Sequence, residues 1–152
     1  MNQVDGNSPL LALQQQSHPE CFVCGAANGH GLGLEFHATD DGAVEATFPC
    51  QPVFAGYPGM LHGGIVCTLL DGAMTNCLFA RGLAAVTVDM NVRFRHPVTV
   101  SLPAVVRAWL ESEGSPVFRL AAEVLQGEQV VATATARFVE RQAISWLKRR
   151  VT

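Results

Sequence analysis

The fold turns on one stretch: His62-Gly63-Gly64, then Ile65-Val66-Cys67-Thr68-Leu69-Leu70-Asp71-Gly72-Ala73-Met74-Thr75-Asn76-Cys77-Leu78-Phe79-Ala80, closed by Arg81-Gly82. From Ile65 to Ala80 there is no proline and one glycine, and Arg81-Gly82 supplies a cation and a terminating glycine, so the spacing predicts a helix. Its apolar residues (Ile65, Val66, Leu69, Leu70, Ala73, Met74, Cys77, Leu78, Phe79) are not confined to one stripe. A helix apolar on most sides is buried on most sides, so the rest of the chain must wrap it.

The flanks supply strands. Leu34, Phe36 and Ala38 alternate with Glu35, His37 and Thr39; Asp40-Asp41-Gly42 gives turn chemistry, and Ala43 to Phe48 resumes an extended pattern. A loop follows, marked by Pro49, Pro52, Gly56, Pro58 and Gly59. Beyond the helix come four strand-like runs, Ala84–Phe94, Ala104–Glu111, Pro116–Leu125 and Gln129–Val139, the last with Ala132, Ala134, Ala136 and Phe138 on one face. Two strands, one buried helix and four strands predict an α+β fold, a single antiparallel sheet curled round the helix. Its edges need cover, and a second copy of the chain is the economical source. Residues 1–20 read as a flexible polar arm with a short helix at Leu10–Gln16, residues 21–140 as the domain, and 141–152 as a basic tail whose Ile144, Trp146 and Leu147 fit a docked or a frayed helix.

Composition narrows the class. The 152 residues, 49% apolar, suffice for one core. Ten Lys and Arg against 13 Asp and Glu give a net charge of -3, which offers nothing for a nucleic-acid backbone. No apolar run is of membrane-spanning length, and Met1–Gln16 lacks the features of a signal peptide. Five cysteines, an odd number, fit reduced thiols and a cytoplasmic setting.

The helix carries the chemistry. Gly63 and Gly64 lack Cβ atoms, so a ligand can approach the first backbone N–H groups, which have no intrahelical partner and carry the positive end of the macrodipole. Such a site stabilises the oxyanion of a carbonyl under attack. Asp71 is the only charged side chain between His62 and Arg81, and a carboxylate in that setting must be paired or hydrogen-bonded. Gly64 and Asp71 lie roughly 10 Å apart along one helix axis, whereas both must come within about 3 Å of a reacting atom. Two antiparallel helices from two subunits meet that demand, so the sequence predicts a site shared across a dimer.

Phe54-Ala55-Gly56-Tyr57-Pro58-Gly59-Met60-Leu61-His62-Gly63-Gly64 with Leu69-Leu70-Asp71, then Thr87-Val88-Asp89-Met90-Asn91-Val92 with Phe94 and Pro97, resembles the hotdog-fold acyl-CoA thioesterases of the PaaI type. Cys21-Phe22-Val23-Cys24-Gly25 with Asn28 and Gly31-Leu32-Gly33-Leu34 is similar to one branch of that family. The resemblance spans about Cys21 to Val139 and implies an acyl-CoA hydrolase, a homodimer or homotetramer without cofactor. It implies Asp71 as catalytic nucleophile or general base, Gly63 or Gly64 as donor to the thioester carbonyl, His62 as organiser of that loop, and Thr87 as the hydroxyl that places water or carboxylate. In some relatives an Asn stands six residues before the His, where this chain has Gly56. The substrate-binding set is Gly56, Leu61, Met74, Asn91, Arg93 and Arg95, with Leu78, Phe79, Phe54 and Tyr57 completing an acyl tunnel. Arg81, Arg93 and Arg95 are the candidate partners for coenzyme A phosphates. Asp89 and Asn91 are expected on the strand face of Thr87, hydrogen-bonding across the dimer.

Cys21 and Cys24 have metal-type spacing, but one pair is half a zinc site. His18 and His30 stand near; the reading favoured is two packed thiols in an ordered loop, with no metal. Two other functions keep the fold: hydration or dehydration of an acyl thioester, and acyl-CoA sensing without turnover. The His-Gly-Gly helix start favours hydrolysis over hydration, and ligand binding without hydrolysis would mark the sensor.

Overall fold

Val66, Leu69, Leu70, Ala73, Met74, Cys77, Leu78 and Phe79 are all buried, so helix α2 (Gly63–Phe79) meets protein round most of its circumference. The computed structural model describes residues 7–144. In it α1 (Asn7–Ser17) precedes β1 (His37–Ala38) and β2 (Val44–Phe48); after α2 come β3 (Ala85–Phe94), β4 (Ala104–Gly114), β5 (Val117–Gln126) and β6 (Gln129–Glu140). The six strands form one antiparallel sheet in the order β1-β2-β4-β5-β6-β3, curled round α2. This is the α+β hotdog architecture expected of the sequence. The sheet's inner face closes on the helix with Phe48, Phe118, Leu120, Val124 and Phe138, and with the Ala132, Ala134 and Ala136 row of β6.

Three local readings change. The first strand shrinks to two residues because the backbone before it bonds elsewhere: the N–H groups of Leu32 and Leu34 go to the carbonyls of Phe22 and Val23, at 2.7 and 2.9 Å. The N-terminal arm is more ordered than its polarity suggested, since residues 7–17 form a helix that seats Leu10, fully buried, in the main core. Residues 1–6 of that arm lie outside the described residues. Of the tail, Arg141–Ala143 makes one 3₁₀ turn; the Trp146 and Leu147 of the expected terminal helix lie outside the described residues. Among the described residues no helix is long and apolar enough to cross a membrane.

Buried polar groups on α2 are satisfied, as burial demands. Thr75 Oγ1 donates to the Asp71 carbonyl at 3.0 Å, Asn76 Nδ2 to the Gly72 carbonyl at 2.8 Å, and Gln14 of α1 donates to Asn76 Oδ1. The loop before β1 is pressed on the helix at Gly72, where an added Cβ would stand 2.7 Å from Val23 Cγ1. Gly72→Ala is therefore expected to destabilise by about 1–3 kcal/mol through overpacking, against a helix-propensity gain of about 1 kcal/mol. In a Val23→Ala background the same change should be neutral or stabilising; urea denaturation of the four proteins reads the coupling.

Candidate active site

The loop between β2 and α2 delivers the chain to the helix through a 3₁₀ turn at Pro52–Phe54 and a turn in which Gly59 takes φ 77°, a left-handed value suited to glycine. His62 is the N-cap: its Nδ1 accepts the Gly64 N–H at 2.8 Å, while its carbonyl accepts from Ile65 and Val66 at 2.9 and 3.2 Å. The two candidate donors are thereby told apart. Gly64 gives its N–H to His62, whereas the Gly63 N–H has no hydrogen-bond partner among the described residues.

Gly63 also faces space. It lines a cavity of about 670 Å³ whose walls include Tyr57, Met60, Leu61, Val66 and Phe94, with His62, Arg95 and His96 as its basic side chains. Gly56 lines the same cavity and lies against His62, whose Cα is 3.4 Å from where a Gly56 Cβ would stand. A Cβ on Gly63 would meet the Phe94 ring at 3.6 Å, so the absent side chain keeps the backbone open to the cavity.

Asp71 stands eight residues further on, about 12 Å along the axis, and does not line that cavity. It is half-buried, and its Oδ1 accepts from Thr87 Oγ1 at 2.5 Å. Partial exposure and this bond relieve the penalty that an apolar helix imposes on a carboxylate. Its Oδ2 has no hydrogen-bond partner among the described residues.

Thr87 reaches Asp71 because β3 is bulged. Pairing with β6 runs Thr87↔Phe138 and then Asp89↔Arg137, which leaves Val88 as the extra residue. Cross-strand partners share a face, so Thr87 opposite buried Phe138 points inward, as do Met90, Val92 and Phe94. Asp89, Asn91 and Arg93 point outward. The expectation that Thr87, Asp89 and Asn91 share a face is overturned by this one inserted residue. Asp89 instead pairs with Arg137, whose guanidinium holds its carboxyl below the usual range.

The remaining sequence-derived positions divide in the same way. Leu61, Arg95 and Gly56 line the cavity, together with Tyr57. Met74, Leu78 and Phe79 do not; they are sealed in the core beneath the sheet. Phe54 packs on Phe48 with ring centroids 5.3 Å apart. Asn91 and Arg93 lie on the outer face, Asn91 beside Arg119 and Arg137 in a shallow depression. Arg81, past the far end of α2, donates to the Gly42 carbonyl at 3.5 Å. Met60, Phe94, His96 and Pro97 were not among the expected substrate contacts, although Phe94 and Pro97 were part of the matched pattern.

Comparison with known proteins agrees with this architecture. Residues 58–145 match the family model of the thioesterase superfamily. Acyl-coenzyme A thioesterase THEM4 of Bos taurus is 31% identical over 113 residues, covering 72% of this chain and 46% of that protein. The chain thus spans about half the length of the curated relatives it matches first. The phenylacetic acid degradation-related protein of Ralstonia eutropha JMP134 superposes with TM-score 0.65 at 28% identity, covering 71% of this chain and 85% of that one. The E. coli PaaI protein from the phenylacetic acid degradation operon superposes with TM-score 0.74 at 18% identity, covering 90% and 93%, and shows the shared fold.

The cap is open to a direct test. His62→Ala should cost about 1 kcal/mol of stability by orphaning the Gly64 N–H, and His62→Asn should recover most of it, since Asn caps well. Thermal unfolding of the three proteins measures both.

Proposed function

The chain belongs to the thioesterase superfamily, and from that membership and the helix start we propose that it hydrolyses acyl-CoA thioesters to the free acid and coenzyme A. The observation that carries this reading is the Gly63 N–H, which has no hydrogen-bond partner among the described residues and stands at the N-terminus of α2, where Gly63 lines a largely apolar cavity of about 670 Å³. An acyl chain fits such walls, and a thioester oxygen placed at Gly63 meets a backbone donor and the positive end of the helix dipole together. The name of the bovine relative, an acyl-coenzyme A thioesterase, supports the same substrate class. Five free thiols among the described residues fit the reducing cytoplasm.

Asp71 is the acid–base or nucleophilic group, with Oδ1 held by Thr87 and Oδ2 left for the reaction. In one route Oδ2 takes a proton from water while the water oxygen bonds to the thioester carbon. The oxyanion forms at Gly63, then the C–S bond breaks and the sulfur leaves with the proton returned by Asp71. In the other route Oδ2 attacks and water later hydrolyses the mixed anhydride. Label found in Asp71 after a single turnover in ¹⁸O-water establishes attack by the carboxylate with water entering at Asp71 Cγ. Water entering at the acyl carbon leaves Asp71 unlabelled in both routes, and there trapping of the acyl-Asp71 anhydride in a rapid quench identifies the second.

Within one chain Gly63 and Asp71 are too far apart along the helix to serve one carbonyl. The active unit is therefore a dimer in which Gly63 of one protomer faces Asp71 of the other. Strand β3 supports this, being a ten-residue sheet edge with Thr87, Val88, Asn91 and Phe94 exposed. A tetramer would keep the same pairwise site.

Thiol release from short, medium, long and aromatic acyl-CoAs, blanked for the protein's own cysteines, is the test of function. Asp71→Asn should lower kcat by about 10²-fold or more, and Thr87→Val by about tenfold, the worth of one hydrogen bond. Acyl-CoA binding without turnover by the wild type would move the protein to the sensor reading.

The shared site has its own test in Gly63→Pro. His62 sits at φ -59°, ψ 134°, which a residue before proline prefers, and proline is welcome at the first helical position. The variant should fold yet lose about 10²-fold in kcat with its N–H. Gly63→Pro mixed and re-annealed with Asp71→Asn should recover about a quarter of wild-type activity, because half the dimers then hold one intact site. No recovery from proven heterodimers would place the site within one chain.

A further inference from the structure

His18, Cys21 and Cys24 bring one imidazole nitrogen and two sulfurs within 4.8 Å of one another, against Asn76 and Phe79 toward the C-terminal end of α2, whereas the cavity lies at its N-terminal end. The sequence showed the cysteine pair with His18 and His30 near it; the turn after α1 brings in His18. His18 N–H bonds back to the Gln14 carbonyl at 2.9 Å, the Cys21 N–H to the His18 carbonyl at 3.2 Å, and the Gly25 N–H to the Cys21 carbonyl at 2.8 Å. Each step of this winding tightens the next, and the last admits only glycine: a Cβ on Gly25 would lie 2.3 Å from the Cys21 nitrogen.

Two further features fit a ligand better than idle thiols. The Val23 N–H points at Cys21 Sγ at 3.4 Å, and Asn76 Nδ2 at Cys24 Sγ at 3.6 Å, so both sulfurs already have donors aimed at them, the arrangement that steadies thiolates in a coordination shell. His18 meanwhile stacks edge-on against Phe79, ring centroids 5.0 Å apart, with its Nδ1 buried and without a hydrogen-bond partner among the described residues. A buried polar nitrogen without a partner is costly, and a metal bond removes that cost.

The geometry points to a metal site in which His18, Cys21 and Cys24 hold a thiophilic d¹⁰ ion, zinc first, in place of the packed thiols read from the sequence. One nitrogen and two sulfurs are a borderline-soft donor set, the kind that selects zinc over magnesium or calcium. Binding releases the two thiol protons and takes the imidazole neutral, with no change of oxidation state. Three protein donors leave a fourth tetrahedral position to water or an added ligand. The ion ties the end of α1 to the loop that presses Val23 on Gly72, next in sequence to Asp71, so it acts as a clasp behind the carboxylate.

The test needs no acyl-CoA, so its outcome is independent of the thioesterase reading. Full-length protein, reduced and stripped with chelator, is reloaded with zinc or cobalt(II) alone. About one equivalent of zinc should remain after gel filtration, and cobalt should give a thiolate-to-metal charge-transfer band in the near ultraviolet. Cys21→Ser and Cys24→Ser should each abolish both, His18→Ala should weaken zinc at least tenfold, and Cys50→Ser and Cys67→Ser should leave both unchanged. Zinc should also shield two of the five cysteines of the wild type from alkylation, a readout that survives if a serine variant fails to fold. Wild-type protein that retains no zinc and gives no charge-transfer band overturns the proposal, as does zinc retained by both serine variants. A Cys21–Cys24 disulfide that persists in the reduced, zinc-loaded protein overturns it as well.

Discussion

Burial of α2 on nearly every side is the constraint from which the rest of the structure follows. An amphipathic helix can rest on the edge or face of a sheet, but one with Leu69, Leu70, Met74, Leu78 and Phe79 all buried has to be enclosed. A single antiparallel sheet can enclose it only by curling, and the inner face that results is apolar from Phe48 on β2 to Phe138 on β6. α1 and the loop from Cys21 to Leu34 close the side that the sheet leaves open, which is why Leu10 and Val23 are buried in segments that read as polar. Enclosure also explains where polar chemistry survives: at the N-terminus of the helix, where backbone donors run out of partners, and at Asp71, where the sheet edge β3 lets one carboxylate reach solvent.

Both polar places are shaped by a single local feature. At the N-terminus it is the His62 cap, which takes the Gly64 N–H and leaves that of Gly63 to face the cavity. At Asp71 it is the extra residue Val88 in β3, which turns Thr87 inward to meet the carboxylate while Asp89 turns outward to Arg137. Without the bulge, strict alternation would carry Thr87 to the outer face with Asp89, and the Asp71 carboxylate would lose the hydrogen bond that Thr87 donates. The bulge also divides the β3 residues between a face that looks on the helix and a face that looks away. That division removes Asn91 and Arg93 from the cavity and leaves Arg95, beyond the strand, lining it.

Most of the architecture was legible because it rests on patterns that survive in one dimension. Apolar residues all round Ile65–Phe79 meant enclosure, four β-branched and alternating runs meant strands, and Gly42, Gly82 and Gly127 fell where the chain reverses with positive φ. The His-Gly-Gly start and the lone Asp71 were equally plain, since backbone donors and an isolated carboxylate follow from residue type and spacing. The lining of the cavity was less so: Met74, Leu78 and Phe79 have the right character to line one, and so have Met60 and Phe94. Apolar character does not say whether a side chain faces a cavity or a packed core, because that depends on which element stands opposite.

The sequence by itself thus determined a helix that must be wrapped, the strands that wrap it, and a helix start able to receive a negative oxygen. These follow from hydrophobic periodicity and from the unpaired N–H groups that end every helix. Tertiary structure alone decided that Gly63 and not Gly64 offers its N–H, that Thr87 and not Asp89 meets Asp71, and that His18 joins Cys21 and Cys24. In each case the deciding quantity was an orientation, set by a cap, a bulge or a turn. A shift of one residue in any of them moves a side chain to the opposite face without leaving a trace in composition or spacing.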